Sequence, residues 1–164
     1  MFEAITHTVQ QTFGREVLLH NNALNVSSAY DTSRRQHNSS ILLAQLLTNG
    51  IQEQTKTIAV VDVDLYVPVL TYVFGEAQFN GHTAIVSLHR LANQFYGLRK
   101  NEHLMLERLE KEIIHELGHT FGLYHCRNFE CVMRSSTYVE EIDLKRSTFC
   151  TECSALIELI ELQH

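Results

Sequence analysis

The chain has 164 residues, 45% hydrophobic and 20% charged, which suits one soluble globular domain and leaves no room for two ordinary ones. Its net charge of −6 speaks against a nucleic-acid surface, which would cluster Lys and Arg; the Arg34-Arg35 pair is too short to change that. No run approaches the ~18 consecutive apolar residues of a membrane span, and MFEAITHTVQQTFGREVLL at the start has no basic leader before an apolar stretch, so no signal peptide and a cytoplasmic protein are expected.

Residues 15–20, REVLLH, alternate weakly and predict a first strand after a short N-terminal helix or strand. The polar stretch Asn21 to Asn38 predicts a loop with a strand in its first half. A helix capped by Ser39 or Ser40 follows, with Leu42, Leu43, Leu46 and Leu47 at helical spacing and Asn49-Gly50 as its stop. Thr57 to Val63, TIAVVDV, is β-branched with apolar residues on both faces, which predicts a central strand. Asp62 and Asp64 at its end are read as loop-capping acids rather than catalytic carboxylates. Pro68, the only proline, argues that Tyr66 to Phe74 is not an interior strand. A Gly-containing loop then leads into a strand over about Thr83 to Leu88.

Asn101 caps a helix over residues 102–119 whose buried stripe is Leu106, Leu109, Ile113 and Leu117. Glu107, Arg108, Glu110 and Lys111 are expected to face water, and so is Glu112, with a role behind a metal ligand as its alternative. The end of this helix reads HELGHTFGLYH, from His115 to His125. His115 and His119 are one turn apart, so their rings leave the same face and can grip one metal ion. Glu116 lies about 100° further round and can reach a water held there. Gly122 can take a left-handed backbone that turns the chain back, which lets His125 supply a third ligand. Three imidazoles leave a fourth position on zinc for water, whose pKa falls to roughly 7. A neighbouring carboxylate can take its proton and pass it to a leaving amine. The pattern predicts hydrolysis of a peptide or amide bond; a histidine-rich exposed helix is the bland alternative.

HExxHxxGxxH followed by a methionine resembles the metzincin zinc peptidases. HCRNFECVM from His125 to Met133, with CTEC from Cys150 to Cys153, resembles the archaemetzincin family in particular. The resemblance runs from about Val63 to Cys153. It implies a minimal metzincin fold of the α+β class: an upper subdomain of about residues 1–122 with a twisted mixed sheet backed by helices, and a lower one of about 123–164. It makes Met133 the methionine under the metal, an apolar floor rather than a ligand. It places the strand from Thr83 on the rim of the cleft, antiparallel to substrate. Phe74, Gly75, Glu76 and Ala77 match the family's FGEA-like loop, and the Tyr-Asp and Arg-Gln pairs before the first long helix are also similar.

Cys126, Cys131, Cys150 and Cys153 are all the cysteines present, spaced C-x4-C and C-x2-C as in a closed four-thiolate structural zinc site. In a reducing compartment such a site is favoured over two disulfides, of which three pairings are possible. Cys153 opens a last helix whose Leu156, Ile157, Leu159 and Ile160 are expected to face the core. Two zinc ions are therefore expected, one catalytic and one structural, with a peptide or protein as substrate and neither nucleic acid nor membrane as partner. The rival functions are a metal-bearing peptide-binding protein with little turnover and a zinc amidohydrolase of small amides.

Overall fold

The computed structural model describes residues 2–21, 24–48 and 54–162. Helix α1, Glu3–Phe13, buries Ile5, Val9 and Phe13, a one-sided stripe at i, i+4 and i+8, and ends where Gly14 turns left-handed at φ 61°. The strand expected over residues 15–20 is not formed. Leu18 and Leu19 are each 67% exposed, so the weak alternation there had no apolar face to bury. Instead of a loop with an early strand, the following stretch holds a 3-10 turn at Val26–Ala29 and a small hairpin of β1, Tyr30–Asp31, and β2, Gln36–Asn38.

Helix α2, Ser39–Thr48, is capped by Asn38, whose Oδ1 accepts from the amides of Ser40 at 3.0 Å and Ile41 at 3.4 Å; the two serines offered as caps lie inside the helix. The expected stop at Asn49-Gly50 lies outside the described residues. Strands β3, Thr57–Val61, β4, Leu65–Tyr66, β5, Gly75–Ala77, and β6, Thr83–Ser87, complete two small sheets. One has the order β1-β2-β4; the other has the order β3-β6-β5, with β6 parallel to β3 and antiparallel to β5. Two expectations thereby exchange places. The all-buried strand β6 is the central one and not the rim, and β3, half-buried along its length, is an edge. The Gly-containing loop supplies the other edge as β5. Glycine and short length hid that strand, because a three-residue element has too few positions to show a period.

Helix α3, Glu102–Thr120, starts at Asn101, whose Oδ1 accepts from the Leu104 amide at 3.1 Å. It packs across β5 and β6 and against α1. Its buried side is wider than the predicted stripe and takes in Arg108 and Glu112, both placed in water by the sequence reading. Arg108 is buried because helix α4, Val139–Leu144, covers it, with Asp143 bonding its guanidinium in a fork at 2.7 and 2.8 Å. Helix α5, Thr151–Leu162, buries Cys153 and Ile157 and half-buries Ile160, whereas Leu156 and Leu159 are exposed. One continuous apolar core joins α1, α3, Met133, α4 and α5, including Phe13 stacked on Phe121 at 5.0 Å.

Candidate metal centre and cleft

The three imidazoles of the HELGH segment converge. His115 and His119 project from one face of α3 with their Nε2 atoms 3.1 Å apart. Gly122, at φ 92°, reverses the chain just past the helix, and His125 then brings its ring to 5.2 Å from that of His115 and 4.8 Å from that of His119. One ring nitrogen from each lies within 4.8 Å of the others. The far side of two rings is also anchored. His115 Nδ1 donates to the Val132 carbonyl at 2.8 Å and His119 Nδ1 to the Leu123 carbonyl at 2.7 Å. A proton on each Nδ1 leaves two bare Nε2 lone pairs facing each other, which is repulsive unless a cation stands between them. Burial holds all three imidazoles below their ordinary pKa, His115 furthest, so they are neutral donors at neutral pH.

Glu116 is 6% exposed and lies on the same helix beside these rings. Burial, reinforced by the neighbouring Glu112 charge, pushes its carboxyl well above the ordinary range. It rests against strand β5. A Cβ added to Gly75 would stand 2.9 Å from Glu116 Cγ and Oε1, so only glycine lets the carboxylate approach. Met133 is fully buried, with its sulfur packed over Gly118.

A cleft opens in front of the imidazoles. Its upper wall is Gly75, Glu76 and Ala77 of β5, and its lower wall is Ser135, Ser136 and Thr137. Phe74 accepts from Ser87 and Gln78 donates to Thr83, so the alternating main-chain groups of Gly75 and Ala77 turn away from β6 to the open edge. Tyr72 spans the cleft at one end, its hydroxyl donating to the Thr137 carbonyl at 2.5 Å. Glu76 turns to the other side of β5 and accepts from Ser39 at 2.5 Å and Ser40 at 2.9 Å.

The four cysteines form a second cluster, their sulfurs within 4.8 Å of one another. All four are free thiols, and Cys126 and Cys150 are 3.7 Å apart. That separation is far too long for a disulfide. It matches the ~3.8 Å edge of a tetrahedron with the ~2.3 Å bonds of zinc thiolates. Cys126 reaches the cluster from beside His125, and its amide donates to the Met133 carbonyl at 2.9 Å.

Residues 28–159 match the family model of peptidase family M54. The chain belongs to peptidase family M54. Its relatives within this family include the archaemetzincin of Methanocaldococcus jannaschii, 42% identical over 125 residues that cover 76% of this chain and 68% of that protein. The archaemetzincin of Archaeoglobus fulgidus is 36% identical over 156 residues, 94% of this chain and 89% of that one. The crystal structure of the archaemetzincin from Methanopyrus kandleri superposes with a TM-score of 0.86 at 34% identity, covering 99% of this chain and 86% of that one. The archaemetzincin resemblance and the α+β metzincin class are thus shown, and the chain is a zinc metallopeptidase by family. Among the described residues no helix is long and apolar enough to cross a membrane.

Sequence reading missed the partners of these groups. Gly75 stood in a segment noted for its likeness alone, and nothing in its neighbours announced Glu116 across the sheet. The 3.1 Å ion pair between Glu112, which lines the cleft, and Lys145 joins residues 33 apart in the chain.

Proposed function

We propose that the chain hydrolyses peptide bonds, with His115, His119 and His125 holding a zinc ion and Glu116 moving the proton. The single observation that carries this reading is the pair of bare Nε2 atoms 3.1 Å apart, with His125 beside them and the carboxylate of Glu116 buried on the same helix. Zinc bound there supplies Lewis-acid polarisation of the scissile carbonyl and brings the acidity of water to a pKa of about 7. Glu116 Oε takes the proton as the carbonyl carbon is attacked, then returns it to the amide nitrogen as the C–N bond breaks. Gly75 and Ala77 present the main-chain groups to which an extended substrate adds as a further strand.

Cys126, Cys131, Cys150 and Cys153 hold a second zinc ion that is structural, since four thiolates close its shell. The substrate lies along the line between an upper part of about residues 1–122 and a lower part of about 123–164. A cytoplasmic setting fits four reduced thiols, of which Cys126 and Cys150 stand 3.7 Å apart. Gly122 acts as the hinge that delivers His125, and Met133 as the apolar floor.

The test is zinc analysis with a peptide-library digest of the wild type and Glu116→Ala. Two zinc ions per chain in both proteins, with cleavage abolished in the variant, are expected. Two ions with no cleavage by the wild type would move the reading to a peptide-binding protein, and cleavage confined to small non-peptide amides would make it an amidohydrolase.

A further inference from the structure

Helix α3 carries a second buried carboxylate that the proton-transfer role leaves without a task. Glu112 is 4% exposed, sits one turn before Glu116 and lines the same cleft. Its Oε1 accepts from Lys145 Nζ at 3.1 Å, and Lys145 also donates to the Arg134 carbonyl at 3.1 Å. No residue among those described bonds its Oε2. Two residues past Arg134, Ser136 lines the cleft as well, and its Oγ is buried with no hydrogen-bond partner among the described residues.

The buried Ser136 hydroxyl without a partner costs free energy, and a ligand that satisfies it while also donating to the unbonded Glu112 Oε2 recovers that cost. The carboxylate oxygen can only accept, whereas the hydroxyl can donate. A primary carboxamide presents the complementary pair, an NH2 group for Glu112 and a carbonyl for Ser136. An alkyl chain leaves both unpaired, and a carboxylate brings no donor to Glu112. A cationic side chain is attracted by Glu112 but repelled by Lys145, which already neutralises it. The apolar faces of Tyr72, Val73 and Phe74 in the same cleft suit a methylene stem.

We propose that Glu112 and Ser136 form a subsite selecting a carboxamide side chain, Gln or Asn, next to the scissile bond. Lys145 is the positioning residue that ties Glu112 to the backbone leading into Ser136. This selectivity rests on the peptidase reading given under Proposed function.

The zinc-loaded wild type is given peptides varied at the positions flanking the cleaved bond. At one of them Gln is preferred to Met about tenfold in kcat/KM, the size of one well-made hydrogen bond. Ser136→Ala brings that ratio toward one. Lys145→Met, which leaves the Glu112 charge uncompensated, turns the preference toward Lys. Equal use of Gln and Met by the wild type, or an unchanged ratio in Ser136→Ala, overturns the subsite whether or not Lys145→Met folds. If the wild type cleaves nothing, the peptidase reading falls on its own. The subsite is then read by NMR titration of the zinc-loaded protein with the N-methylamides of N-acetyl-glutamine and N-acetyl-methionine, of which only the first carries a primary carboxamide. Stronger binding of the first upholds it, and equal binding or none overturns it.

Discussion

Gly75 of β5 and Glu116 of α3 touch: a Cβ on Gly75 would come to 2.9 Å from the Glu116 carboxylate and to 2.6 Å from the Ile85 carbonyl. Gly75→Ala must therefore push β5 off β6 or turn Glu116 aside. A misplacement near 1 Å of a group that moves a proton costs about 100-fold in rate, and the overpacking costs about 1–3 kcal/mol of stability. His115 and His119, two of the proposed zinc ligands, lie on α3 and His125 on the loop after it, so all three keep their places. Rate assays with zinc analysis check this: kcat drops while zinc content holds, and unchanged kcat would mean that the contact does not orient Glu116.

Gly118 and Met133 are locked in a similar way. The Met133 sulfur would lie 2.5 Å from a Cβ at Gly118, and Met133 is fully buried, so it has nowhere to swing. Gly118→Ala should lower stability by about 1–3 kcal/mol, whereas Met133→Leu, near in volume, should cost under about 1.5 kcal/mol. Denaturant melts of the two variants decide it. A smaller loss in Gly118→Ala than in Met133→Leu would contradict the packing.

Removing one cysteine should disturb the histidine cluster as well as the cysteine cluster. Cys126 adjoins His125, and the hydrogen bond that its amide donates to the Met133 carbonyl couples the two. Cys150→Ser is expected to bind one zinc ion less, to lose stability and to hold its remaining zinc more weakly. Hydrogen exchange should rise first over residues 123–133 and 148–153 and only later in β3 and β6. Full zinc occupancy and an unchanged melting temperature in the variant would count against this coupling.

Acid should act at Asp31 apart from the metals. The Ser33 hydroxyl and then the Tyr66 hydroxyl, with main-chain N–H groups, lower its pKa to about 2, against ~3.9 in an unfolded chain. The folded form thus favours the ionised state, so this stabilisation is present above about pH 4 and is lost as pH falls toward about 2. Asp31→Asn should be less stable than the wild type at pH 7, and the gap should close on acidification through that window. Parallel melts at several pH values, where a constant gap would refute the assignment, measure it.

By itself the sequence determined the local chemistry. A 3.6-residue period places His115 and His119 on one helix face, Gly122 is needed where the chain takes φ 92°, and Asn101 starts the helix as its residue type predicts. These follow from spacing and residue type within a single turn, where a chain has few choices. The tertiary structure decided what lies across from them. Which strand is central depends on pairing, and β6 takes the middle of its sheet, where of the three strands it alone is buried from end to end and bonds to both β3 and β5. Arg108 and Glu112 look like surface charges until α4 and Lys145 arrive from 33 or more residues away to cover them. A charge is buried only when its partner is supplied by the fold, and no local pattern records which distant residue that partner is.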